Sequence, residues 1–165
     1  MTFIVTLISE GSSRSLPERV GPLVLEPVIR DDGGADRAGF LRGLTRHLGR
    51  PVQGTAVHVL LQERDGYQSS NDLFEYGEGD EPARLQVPIE LRQHLDRVIE
   101  QGLALSACRR VLLIAEDNGH VTDPDLSTEE AATVDIVGPM SSAAFWRLVD
   151  LREVVEDSVV IIEQP

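Results

Sequence analysis

Lysine is missing from all 165 residues; the 15 basic side chains are arginines. That absence removes Schiff-base and pyridoxal-phosphate catalysis and Ser–Lys dyads, each of which needs an amine that can lose its proton. The phosphate-loop lysine is gone too, as is the lysine that positions ATP in ordinary kinases. One cysteine, Cys108, excludes an intrachain disulfide and every cysteine-rich zinc pattern. Arg109 and Arg110 beside it would lower a thiol pKa, but the position reads as a small side chain near a helix–strand junction. Aromatic residues make up only 4% of the chain, so Val, Leu and Ile must supply most of the core. No apolar run approaches the roughly 18 to 20 residues that span a bilayer. The N-terminal MTFIVTLISEGSS lacks the basic start of a secretory signal and reads as the first strand of a cytosolic protein. Neither a G-x-S-x-G elbow nor a G-x-G-x-x-G loop occurs.

What the chain does carry is negative charge, unevenly spread. The net charge is −13, and residues 115–165 hold 12 acids against Arg147 and Arg152 alone. A cationic surface is needed to displace counterions from nucleic acid, so no nucleic-acid partner is expected. Anionic membranes are disfavoured for the same reason. A hydrophobic content of 41% is ordinary for a globular protein, and the length fits a single α+β domain over residues 1–165.

The clearest reading lies at the C-terminal third. RVLLIA (110–115) is a short apolar run suited to a buried strand, TVDIVG (133–138) a second strand ended by Pro139, and SVVIIE (158–163) a third. Between the last two, a helix over 143–157 is expected, capped by Ser141 or Ser142, with Phe145, Leu148, Val149 and Val155 along one face. Upstream, 2–8 reads as a strand and 22–30 as a second, near an edge because Pro27 cannot donate to a ladder. DDGG (31–34) reads as a turn, and a helix from Asp36 to about Leu48 stops at Gly49. Residues 55–64 alternate like a strand, and 83–88 are a brief one. Leu91, Leu95, Val98 and Ile99 mark an amphipathic helix ending near Gly102. Together these predict an α+β fold: a mixed, mostly antiparallel sheet with about three helices packed mainly on one face.

Two segments carry candidate chemistry. Residues 66–82, GYQSSNDLFEYGEGDEP, set Asp72, Glu75, Glu78, Asp80 and Glu81 around Tyr67, Phe74 and Tyr76. Carboxylates with exposed rings can grip a basic surface through charge and cation–π contact; the alternative is a solvated hairpin whose rings fold back on the core. The loop 116–130 places Glu116, Asp117, His120, Asp123 and Asp125 just past a strand, where ligands often collect in open sheets. Carboxylates with a histidine can hold Mg²⁺ or Mn²⁺, yet Gly119 falls too early for an EF-hand and no metallohydrolase spacing occurs. His47, His58 and His94 are scattered, and His58 reads as a core or boundary residue. Arg109–Arg110 reads as a pair that neutralises nearby acids.

In general profile the chain resembles the immunity proteins with which bacteria neutralise toxins; the likeness covers no defined residues. It implies an acidic, cytoplasmic protein-binding module that inhibits a basic partner by covering its active surface. The binding residues expected are Asp72, Glu75, Tyr76, Glu78, Asp80 and Glu81, with Asp117, Asp123 and Asp125 second. No catalytic residue, metal or cofactor belongs to this reading. The alternatives are a small metal-dependent hydrolase on the 116–125 loop, or a subunit of a homo-oligomer.

Overall fold

The computed structural model describes residues 2–28, 37–62 and 66–165, with the backbone only at 37 and 38. The elements in order are β1 (Phe3–Glu10), β2 (Arg19–Val20), β3 (Leu23–Pro27), α1 (Arg37–Leu48), β4 (Gly54–Gln62), β5 (Gln68–Ser69), a 3₁₀ turn (Asn71–Leu73), β6 (Phe74–Glu75) and β7 (Arg84–Leu85). They continue with α2 (Ile89–Leu105), β8 (Arg110–Asp117), α3 (Thr128–Ala131), β9 (Asp135–Met140), α4 (Ser142–Asp150) and β10 (Ser158–Glu163). The expected turn at 31–34, the helix start at Asp36 and the strand residue Arg64 lie outside the described residues.

The main sheet runs β2-β3-β4-β1-β8-β10-β9, with β5 beside the end of β4 and β6–β7 forming a separate pair. Every neighbouring pair is antiparallel except β9–β10. Parallel neighbours need a crossover, and α4 supplies it. β8 shows why residues 111–115, VLLIA, are apolar throughout: Val111, Leu113 and Ala115 enter one core while Leu112 and Ile114 enter the other.

The larger core lies under α2 and α4, where Leu95, Val98, Ile99, Phe145 and Val149 pack on Phe3, Val5, Leu7, Leu113 and Val160. α1 covers the opposite face with Phe40 and Leu44 against Ile8, Ala56, Leu112 and Ile114. The mixed α+β sheet is thus as expected, with α2 and α4 together on one face and α1 on the other. Trp146 buries its ring beside Phe145, donates Nε1–H to Asp96 at 2.7 Å and carries the Arg92 guanidinium 4.7 Å above it. Among the described residues no helix is long and apolar enough to cross a membrane.

Two boundaries and one loop differ from the sequence reading. β9 begins at Asp135 and runs through Pro139 to Met140, because it is an edge strand with a single neighbour and the register shifts opposite Val160–Ile162. α4 stops at Asp150, since the following residues bond to another segment: Leu85 N–H donates to the Val154 carbonyl and Glu156 N–H to the Ala83 carbonyl, both at 2.8 Å. The loop after β8 holds α3, opened by a capping box in which Ser127 and Glu130 each bond the other's amide.

Candidate functional site: the acidic end of the sheet

The pairing register decides which loops meet. Phe3 lies opposite Asp117, Ser158 opposite both Ala115 and Asp135, and Val5 opposite Val59. The starts of β1, β9 and β10 and the ends of β4 and β8 therefore share one end of the sheet. Both acidic segments of the sequence emerge there, together with the 151–157 connection.

Phe3 pins the first of them. Its amide donates to Asn71 Oδ1 at 2.9 Å, its ring stacks on Phe74 with centroids 4.7 Å apart, and it packs edge-to-face with Tyr76 at 5.3 Å between centroids. Val5 N–H donates to Ser70 Oγ at 3.0 Å, and that hydroxyl donates to the Val59 carbonyl, which ties the same stretch to β4. Phe74 has thus folded into the core, whereas Tyr76 is split, packed on Phe3 but 53% exposed. Asp72, Glu75, Glu78, Asp80 and Glu81 are all exposed around it. The tip is a tight turn: a Cβ on Gly77 would stand 2.3 Å from the Glu81 carbonyl oxygen.

Beside this hairpin two arginines meet, Arg84 of β7 and Arg152 of the 151–157 segment. Arg84 Nη1 donates to the Arg152 carbonyl at 2.7 Å, and Arg152 Nε lies 3.5 Å from Glu75 Oε2. Between them opens a cleft of about 230 Å³ lined by Glu75, Tyr76, Glu81, Arg84 and Arg152.

The second segment is anchored by a carboxylate turned inward. Glu116 follows the alternation of β8 onto the α1 face, is almost fully buried, and accepts from Thr122 N–H and Oγ1–H, each at 3.1 Å. Burial pushes its carboxyl pKa up from 4.5 to about 7 against the opposing pull of the Thr122 and Val121 donors. From the other side α1 clamps the same loop: His47 Nε2–H donates to the Val121 carbonyl at 2.8 Å and Arg46 donates to the Leu126 carbonyl. Burial is also the main reason the His47 imidazole titrates below its ordinary value. Gly43 fits between them, since a Cβ there would lie 2.5 Å from the Thr122 carbonyl oxygen. Gly43→Ala is expected to lower stability by about 1–3 kcal/mol in urea unfolding, because the backbone clash outweighs the ~1 kcal/mol that alanine adds to helix propensity.

The three acids expected in this loop part company. Asp123 and Asp125 are exposed, joined by a bond from the Asp125 amide to Asp123 Oδ1 at 2.9 Å. Asp117 is half-buried at the strand end; its amide donates to Asp157 Oδ1 at 3.1 Å and its own Oδ1 is buried without a hydrogen-bond partner. Asp157 Oδ2 also lies 2.9 Å from His120 Nδ1, an ionic contact when the ring is protonated. Among the described residues no three His, Cys, Asp or Glu side chains converge to hold a metal ion.

Elsewhere the sequence candidates are structural. His58 Nδ1 bonds Thr6 Oγ1 at 2.9 Å. Cys108 is exposed at the far end of the sheet, where Arg50 and Arg110 pair with Glu10, and Arg110 pairs also with Glu163. Sequence reasoning left Arg84, Arg152 and Asp157 unassigned, because only pairings across tens of residues bring them to this end. Protein-family models, curated proteins and solved structures give no match to this chain.

Proposed function

We propose that the protein is an acidic binding module of the inhibitor or immunity type, which neutralises a basic protein partner such as a toxin by covering its active surface. One observation carries the reading: exposed Asp72, Glu75, Glu78, Asp80 and Glu81 of the hairpin and exposed Asp123 and Asp125 of the second loop emerge at the same end of the sheet. Carboxylates gathered on one end add their potentials, which steers a cationic partner toward it and disfavours wrong partners. Tyr76 supplies apolar contact area in the middle of those charges. Enzymes that cleave nucleic acid are cationic where they bind phosphate, so an acidic face of this kind suits their inhibition. A cytoplasmic setting in a bacterium belongs to the same proposal.

The test is reversal of charge at Glu75, Glu78, Asp80 and Glu81 together, in complex with the basic partner isolated from the native host. Juxtaposing like charges costs several kcal/mol, so affinity at low salt is expected to fall about a hundredfold or more, and inhibition of the partner with it. Unchanged affinity would remove the hairpin from the interface. A saturable calorimetric response to millimolar Mg²⁺ or Mn²⁺ would instead favour a hydrolase on the 116–125 loop.

A further inference from the structure

Resting on that reading, we propose that the cleft beside the hairpin receives one arginine side chain of the basic partner, and that Arg152 partly fills it as an internal stand-in in the free protein. The walls are of the right kinds. Glu75 and Glu81 bring two carboxylates, and Tyr76 brings an aromatic face. Tyr76 packs edge-to-face with Phe3, centroids 5.3 Å apart, while the residue stays 53% exposed. The close approach of Gly77 to the Glu81 backbone fixes the turn that carries the second carboxylate.

The two arginines already present differ in how firmly they are held. The head group of Arg84 is committed to the Arg152 carbonyl at 2.7 Å. Arg152 is loosely placed: its Nε is 3.5 Å from Glu75 Oε2, and the two side chains are 58% and 45% exposed. That separation exceeds the length of a charge-assisted hydrogen bond, and exposed pairs of this kind contribute little. A guanidinium therefore already sits against Glu75, and displacing it costs little.

Arginine suits the cleft better than lysine. A planar guanidinium lies flat on the tyrosine face while its in-plane N–H groups reach carboxylates at its rim. An ammonium is a compact, strongly hydrated point charge that gains only the Coulomb part.

The experiment titrates the ¹⁵N-labelled full chain at low ionic strength with capped pentaarginine, pentalysine and pentacitrulline peptides. Pentaarginine is expected to bind about fivefold more tightly than pentalysine, with amide shifts centred on residues 75–77 and 152. Tyr76→Ala, and separately the double variant Glu75→Gln/Glu81→Gln, are expected to erase that preference. Arg152→Gln, which clears the cleft, is expected to strengthen pentaarginine binding more than pentalysine binding. Equal affinity for the two cationic peptides, insensitive to Tyr76→Ala, overturns the arginine pocket and leaves the acidic-face reading standing. If neither cationic peptide binds above pentacitrulline, the acidic-face reading falls and the pocket with it.

Discussion

At pH 8 the Glu116→Gln variant is expected to be more stable than the parent chain by on the order of 1–3 kcal/mol, and the difference is expected to vanish as the pH is lowered to about 4.5. The carboxyl titrates near 4.5 when the chain is unfolded and at about 7 when it is buried. Between those values the folded state keeps a proton that the unfolded state has released. Stability contributed by this group is therefore complete below the lower value and is lost as pH rises through the upper one. A neutral amide escapes that loss. Its carbonyl can accept from Thr122 N–H, and its NH₂ can donate to Thr122 Oγ, whose own proton then goes to the Gly119 carbonyl 3.3 Å away. The opposing effect is the loss of charge-assisted bonds to the carboxylate, about 1.5–3 kcal/mol for such groups. Desolvation is the larger of the two, and the neighbouring Asp157 carboxylate pushes in the same direction. Urea unfolding of both chains at pH 5 and pH 8 decides the matter. A variant less stable than its parent at pH 8, or a difference independent of pH, would show that the donors hold Glu116 ionised.

Glu116 also shows what the sequence made legible and what it hid. The period of two along 110–117 puts Glu116 on the face of Leu112 and Ile114, so its inward direction was readable from RVLLIAED. Reading it with the loop acids set composition above that alternation. The long periodic elements were likewise legible: Leu91, Leu95, Val98 and Ile99 all face the core from α2, as their spacing requires. The two-residue strand β7 lies within the expected strand at 83–88, whereas β2 and β5 are too short to show any period. The stop of α4 at Asp150 had no local mark either. Arg152 there takes a positive φ of 59° without a glycine to announce it, and the competing bonds come from Ala83 and Leu85. The acids of the candidate site were visible as composition. Their gathering at one end of the sheet was not, because it depends on strand register across the whole chain.

The hairpin's place at that end rests on Phe3, and replacing it is expected to be among the most damaging single changes. Phe3→Ala removes a fully buried ring, which typically costs about 3–5 kcal/mol, a large share of the ~5–15 kcal/mol that holds an ordinary domain together. Stability alone does not separate a pin from any other core residue. Phe145→Ala, also fully buried, is expected to lose a similar amount and serves as the control. The two variants should differ in local opening. Phe3 touches Phe74 and Tyr76, whereas Phe145 packs against its neighbour Trp146 under α4. Under native conditions, hydrogen exchange at the Leu73 and Gln86 amides, which donate to the Ser70 and Leu73 carbonyls, is expected to accelerate beyond the global rate in Phe3→Ala alone. Where the alanine variant unfolds outright, Phe3→Leu keeps apolar volume but loses the stacked ring, and the same two amides report. Exchange at those amides that tracks global stability equally in the Phe3 and Phe145 variants would mean that the hairpin is held by its backbone bonds to β4 and the 151–157 segment, and that the aromatic cluster only fills space.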